Sequence, residues 1–292
     1  MKKILAVSGG VDSMVMLDLM LSHFPTEEIV VATFDHGTRE SSSADADFVA
    51  QKVAKIAQIG PALQSRFYRG EARLGAKISE GRAREKRYDF LRKVAFREKG
   101  EIYTAHHLDD LVETVAINLI RGTGWRGLAV LDSAGVRRPF IDSTFGEVFD
   151  KRKVLKYAAQ RGVVFRQDPT NVGERYLRNR VRSRASTMAF GQKKKVYELW
   201  QRQVEIKREI ESVLEEILPE DLKFERAWFS EMDKKVALEI LRAGLLRAGV
   251  TATRPQIRDF YQAILAYESG KQFNLPGDKL VKFTRRDFQL KV

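Results

Sequence analysis

The 292-residue sequence predicts an α/β fold. It reads as a parallel sheet with helices on both faces, then a linker helix and a small α+β C-terminal domain. Three observations carry this. Short apolar, β-branched runs alternate with segments of helical period as far as residue 120. A glycine-rich turn joins the first apolar run to the first helical segment. Polar clusters stand at the ends of several strand candidates, where open parallel sheets bind ligands.

The first strand is Ile4-Leu5-Ala6-Val7, followed by the turn Ser8-Gly9-Gly10-Val11-Asp12-Ser13 and a helix over 14–24. Ile29-Val30-Val31-Ala32-Thr33-Phe34 is a second strand, ending at Asp35-His36-Gly37. Ser41-Ser42-Ser43 caps a helix over 44–59, and 63–68 is a short strand. Residues 79–99 have helical period, with Ala83, Tyr88, Leu91 and Ala95 apolar among charges. Ile102-Tyr103-Thr104-Ala105 is a strand that runs into His106-His107, and 108–120 is a helix ending at Arg121-Gly122. Thr144, with Glu147 three residues on, predicts a capping box and a helix start, and Val163-Val164-Phe165 predicts a strand. Residues 196–218 form a charged amphipathic helix closed by Pro219. The tail mixes two helices with a strand pair over 273–290, turning at Pro276-Gly277-Asp278. The expected domains are 1–190, a helical connector 191–220, and a small domain 221–292.

Composition narrows the function. There is no cysteine, which excludes disulfides, thiolate zinc sites, cysteine-held iron–sulfur clusters and persulfide chemistry. The formal net charge of +13 points to an anionic partner larger than a nucleotide, and nucleic acid leads. The excess is focused: 13 basic and 5 acidic residues fall within 137–184. No apolar run approaches the roughly 18 residues of a membrane span, and the N-terminus reads as a strand, so a cytoplasmic protein is expected.

The turn at Ser8, Gly9, Gly10, Val11, Asp12 and Ser13 is a phosphate cradle, because free N–H groups and a helix N-terminus converge there. It lacks the lysine and spacing of a Walker A loop. Asp12 is a carboxylate among those phosphates, which suits Mg²⁺ coordination or a catalytic contact better than capping. His106, Asp110 and Glu113 are spaced i, i+4, i+7 and, if helical, share one face, whereas Asp109 and Leu111 point elsewhere. That face could hold Mg²⁺ with Asp12, position a nucleophile, or take a proton from an amine. Arg84 and Arg87 form a basic pair at i, i+3, a candidate RNA contact. Arg175, Arg178, Asn179, Arg180 and Arg182 lie in a stretch free of acids, suited to RNA phosphates and bases. Lys193-Lys194-Lys195 could extend that track.

In order, the chain contains S-G-G-V-D-S, D-H-G-T-R, A-R-E-K-R-Y, A-H-H-L-D-D-L-V-E-T, R-G-T-G-W-R-G-L, R-P-F, and D-P-T-N followed by R-Y-L-R-N-R-V-R. This series resembles the tRNA(Ile)-lysidine synthetases, members of the PP-loop (N-type) ATP pyrophosphatases, over about residues 1–185. The resemblance implies an adenine nucleotide alpha hydrolase-like fold and an ATP- and Mg²⁺-dependent ligase. Such an enzyme adenylates the wobble cytidine of an isoleucine tRNA with anticodon CAU, and the ε-amine of free lysine then displaces AMP. It implies that Ser8 through Ser13 bind the phosphates and that Asp35 and His36 lie by the nucleotide. It places His106, Asp110 and Glu113 at the reacting centre and Arg178 against the tRNA or the transition state, with the small C-terminal domain also on tRNA. Thr38, Leu111 and Phe140 stand where Leu, Gln and Leu are more usual. The rivals are a sulfur-transfer relative, disfavoured by the missing cysteines, and a non-catalytic RNA-binding module. Oligomeric state stays open, a homodimer included.

Overall fold

The computed structural model describes residues 1–37, 42–57, 66–72, 79–166 and 177–290. These divide into two compact units, Met1–Val204 and Glu205–Val292.

The first unit contains β1 (Lys2–Ala6), α1 (Val11–His23), β2 (Ile29–Asp35), α2 (Ser42–Ala57), β3 (Phe67–Glu71), α3 (Glu80–Glu98), β4 (Gly100–Tyr103), α4 (Leu108–Ile120), β5 (Val136–Arg137), α5 (Lys151–Arg161) and α6 (Leu177–Thr187). The long helix α7 (Phe190–Ile217) begins in it, and the division between units falls inside that helix. Among the described residues the strands form one parallel sheet in the order β3-β2-β1-β4-β5. Side chains alternate across the sheet, so successive residues of a strand feed opposite cores. Leu5, Ile29 and Val31 pack with α1, α2 and α5, through Val15, Val53 and Val154 among others. Ile4, Val30, Ala32 and Ile102 pack with Leu91 and Val94 of α3 on the other face. Leu108, Leu111 and Val115 of α4 meet Tyr197 of α7 in a further cluster. The expected sheet with helices on both faces is therefore present.

Gly100 begins β4 opposite Lys2 of β1, and a Cβ there would strike the Lys2 carbonyl oxygen and the Ile4 side chain. A neighbouring backbone cannot swing away as a flexible side chain can. Gly100→Ala is therefore expected to lower unfolding free energy by about 1–3 kcal/mol, measured by urea denaturation.

Two local expectations are corrected. Thr144 does not begin a helix. Its N–H bonds Asp142 Oδ1 at 3.1 Å, Gly146 adopts φ +78°, and α5 starts only after Asp150, whose carboxylate accepts the Lys153 N–H at 2.9 Å. Nor is Val163-Val164-Phe165 a strand. The Val163 N–H closes the end of α5 on Ala158 O, and the Arg166 N–H bonds Gly9 O at 2.9 Å, so among the described residues no sheet partner takes this segment. The strand expected at 63–68 is β3, and residues 58–65 lie outside the described ones.

The second unit carries the rest of α7, β6 (Lys223–Glu225), α8 (Arg226–Glu231), α9 (Lys234–Arg247), α10 (Arg254–Ala266), β7 (Gln272–Leu275), β8 (Lys279–Lys282) and β9 (Asp287–Gln289). Its core is aromatic: Phe224, Phe229, Phe260, Phe283 and Phe288 are all nearly inaccessible. The hairpin β7–β8 turns where expected, with Gly277 and Asp278 at positive φ, and β6 pairs with β9. Three helices stand where the sequence predicts two, because α8 is a six-residue piece too short to show a period.

Candidate active site

A cleft of about 390 Å³ opens at the carboxyl ends of β1, β2 and β4. Here the chain leaves β1 for β2 on one side and returns with β4 on the other, the switch point where open α/β sheets hold ligands. Ser8, Gly10, Asp12 and Ser13 line it after β1, Asp35 at the end of β2 with His36 just beyond, and Thr104, His106 and Asp110 after β4.

The loop after β1 is tied from inside. Ser13 Oγ accepts the Ser8 N–H at 3.1 Å and donates to Gly10 O at 2.9 Å. Gly9 adopts φ +84°, a conformation that favours glycine, and its carbonyl is held by Arg166. Gly10 caps α1, so N–H groups at the start of that helix are available to an anion, and Asp12 sits in the same first turn. Both oxygens of Asp12 accept from Lys151 Nζ, at 2.6 and 2.8 Å.

On the β4 side the expected shared face is rearranged. His106 precedes α4 rather than belonging to it, since the helix begins at Leu108 with His107 as its N-cap. His106 still lines the cleft, and its Nδ1 pairs with Thr104 Oγ1 at 2.9 Å. Asp110 lines it too, with Oδ2 accepting the His107 N–H at 3.0 Å. Glu113 is 2% exposed and is not among the lining residues. Its oxygens accept from Arg178 Nε and Arg182 Nε of α6. Asp109 reaches Lys193, and Leu111 is fully buried in the core.

Arg87 lines the cleft, while Arg84 lies over the Tyr88 ring, 5.0 Å from its centroid. On α6, Arg180 is exposed and Asn179 half-buried, and Arg175 lies outside the described residues. Lys193 does not extend a surface track: it has no solvent exposure and pairs with Asp109 and Asp150. Sequence reasoning missed Lys151, His107 and Arg166. His107 is buried between Asp12, Asp109 and Asp110, with nitrogen–oxygen distances of 3.6, 3.7 and 3.5 Å. Arg166 lines the cleft and pairs with Asp45. For Lys151 one signal was available: Phe-Asp-Lys before an apolar-periodic run is a helix start as good as Thr144.

Burial, then the charges of Arg138, Arg84 and Arg87, hold the His106 imidazole well below its ordinary value, so it is neutral at pH 7. Burial, then Arg87, lowers His36 in the same way. The unfolded chain takes up protons near pH 6.5 that these folded histidines refuse. Stability is therefore fully present above that pH and falls as pH drops below it. Thermal melts from pH 7.5 to 5 are expected to show this slope, and His106→Gln to flatten it.

The PP-loop domain family model (ATP_bind_3) matches residues 1–187. The chain belongs to the PP-loop family. Among relatives of this PP-loop protein, the tRNA(Ile)-lysidine synthase of Thermotoga sp. (strain RQ2) is 37% identical over 186 residues, 62% of this chain and 43% of that protein. The enzyme of the same name from Enterococcus faecalis is 35% identical over 190 residues, 62% of this chain and 38% of that protein. The bifunctional protein TilS/HprT of Listeria monocytogenes is 30% identical over 243 residues, 80% of this chain and 35% of that protein. The matched segment thus spans less than half of each of these relatives. In fold, the chain is similar to the U34-tRNA thiolase NcsA of Methanococcus maripaludis, solved with its 4Fe-4S cluster. The TM-score is 0.55 at 19% identity, covering 70% of this chain and 72% of that one. Among the described residues no helix is long and apolar enough to cross a membrane.

Proposed function

We propose that this chain is an ATP-dependent ligase that joins free L-lysine to the wobble cytidine of a CAU-anticodon isoleucine tRNA, releasing AMP and pyrophosphate. The observation that supports this best is the convergence, in one cleft, of the PP-loop, the Asp12 and Asp110 carboxylates and the neutral His106 imidazole. The relatives named above favour lysine over other acceptors. A sulfur-transfer reading fits less well, because this chain has no cysteine to hold a cluster or carry sulfur.

In the first step a base oxygen attacks the α-phosphorus and pyrophosphate leaves. The loop N–H groups and the α1 N-terminus receive the phosphates. Asp12 and Asp110 are acceptor-only groups on the same cleft, and nucleotide-bound Mg²⁺ needs only one or two protein carboxylates. They would hold the ion, which screens phosphate charge. In the second step the lysine ε-amine attacks the ring carbon that bears the adenylated oxygen and AMP leaves with that oxygen, and the amine must first lose a proton, since it is charged at pH 7. Asp110 is the better placed acceptor. It lines the cleft and is partly exposed, whereas both Glu113 oxygens are engaged by guanidinium groups away from it. Glu113 instead holds α6, and with it the exposed Arg180 and Arg184, for contact with RNA phosphates. We assign 1–190 to catalysis, 191–220 to a connector and 221–292 to tRNA binding.

The test is incubation with Mg-ATP, labelled lysine and CAU-anticodon isoleucine tRNA. Lysine should enter the tRNA with one AMP released per lysine. ATP cleavage dependent on that tRNA but without lysine incorporation would overturn the assignment.

A further inference from the structure

We infer that Lys193 is a positioning residue for the nucleotide loop, acting at a distance through Asp109, Asp150 and Lys151. The inference rests on the reading that the loop at Asp12 binds ATP.

Lys193 lies near the start of α7, has no solvent exposure and is not among the residues lining the cleft. Burying an ammonium is costly, and removing its partners leaves the cost uncompensated. Here two carboxylates meet it: Asp109 Oδ1 at 2.6 Å and Asp150 Oδ2 at 3.4 Å. Each carboxylate spends its other oxygen on the first turn of α5. Asp109 Oδ2 accepts the Lys151 N–H at 2.9 Å, and Asp150 Oδ1 accepts the Lys153 N–H at 2.9 Å. One buried cation therefore fixes the backbone of Lys151, and Lys151 Nζ then grips both oxygens of Asp12.

The order of action matters. Lys151 has a flexible side chain about one-third exposed, which by itself would not select one partner. Its backbone placement restricts where the ammonium can reach. Lys193 supplies that placement through Asp109 and Asp150, none of the three lining the cleft.

Isothermal titration with Mg-ATP tests this on the full chain, at a temperature where circular dichroism shows each variant folded. Lys193→Met should weaken ATP binding roughly 10-fold, as outer-shell changes at bound-ion sites commonly do. Lys151→Ala should weaken it comparably, and the double variant should bind no worse than Lys151→Ala alone. A residue that merely staples helices together would lower the melting temperature and leave the ATP affinity of the folded protein unchanged. That result overturns the inference, as do losses that add in the double variant. If Lys193→Met does not fold, Lys193→Gln is read by the same criteria. Wild-type protein that fails to bind Mg-ATP would refute the nucleotide reading itself, an outcome separate from the other two.

Discussion

Asp12→Ala should abolish measurable AMP release, by roughly a hundredfold to a thousandfold, while the protein stays folded. The carboxylate stands in the first turn of α1, inside the phosphate cradle. On the proposed function, its removal takes away a ligand for the ion that accompanies ATP. The fold survives because Asp12 and Lys151 are each about one-third exposed, so water can solvate the lysine left behind. Exposed ion pairs of this sort contribute only about 0–1 kcal/mol. Asp12→Asn separates charge from shape, since it keeps the volume and one acceptor. Quenched-flow measurement of AMP, beside a urea melt, checks both halves. Wild-type turnover in either variant would remove Asp12 from the mechanism.

Asp110→Asn should split the two chemical steps. The amide can still accept the His107 N–H, so the start of α4 keeps its cap. It cannot take a proton at neutral pH. Pyrophosphate release should fall only modestly, because Asp12 remains to hold the ion, whereas displacement of AMP by lysine should fall further, by roughly 10²–10⁴. Raising the pH toward the ordinary lysine value near 10.4 should restore part of the second step, because more of the amine arrives neutral. Glu113→Gln should show no such rescue. If its lysine-transfer step recovers with pH and that of Asp110→Asn does not, the roles are reversed.

Much of the fold was legible because burial follows local pattern. Apolar runs such as 29–34 were strands, and 108–120 was a helix ending at Arg121. The cleft was legible for a similar reason: ligand loops in open sheets sit at strand ends, where Asp35 closes β2 and Ser8 and His106 follow β1 and β4. What was not legible depended on partners far away in sequence. Thr144 and Glu147 look like a capping box, but Phe145 and Phe149 are drawn into a ring cluster with Phe140, and Phe149 O accepts the Leu108 N–H. Val163 and Val164 have strand propensity, yet the Val163 N–H is claimed by α5 and the Arg166 N–H by the loop. Helical spacing grouped Glu113 with Asp110 but could not show two arginines of α6 waiting for it. A lysine triplet says surface, and only the folded chain shows that Lys193 is interior.

The bonds that secure the loop have a consequence for synthesis. Asp12 is gripped by a lysine 139 residues later, and the Gly9 carbonyl by a segment later still. During translation the strand, turn and first helix emerge early and can form locally. The geometry that receives phosphate waits until residues 151–166 have left the ribosome and docked. Non-local closure of this kind slows folding. A nascent chain halted before α5 should thus carry the signature turn and still fail to retain nucleotide.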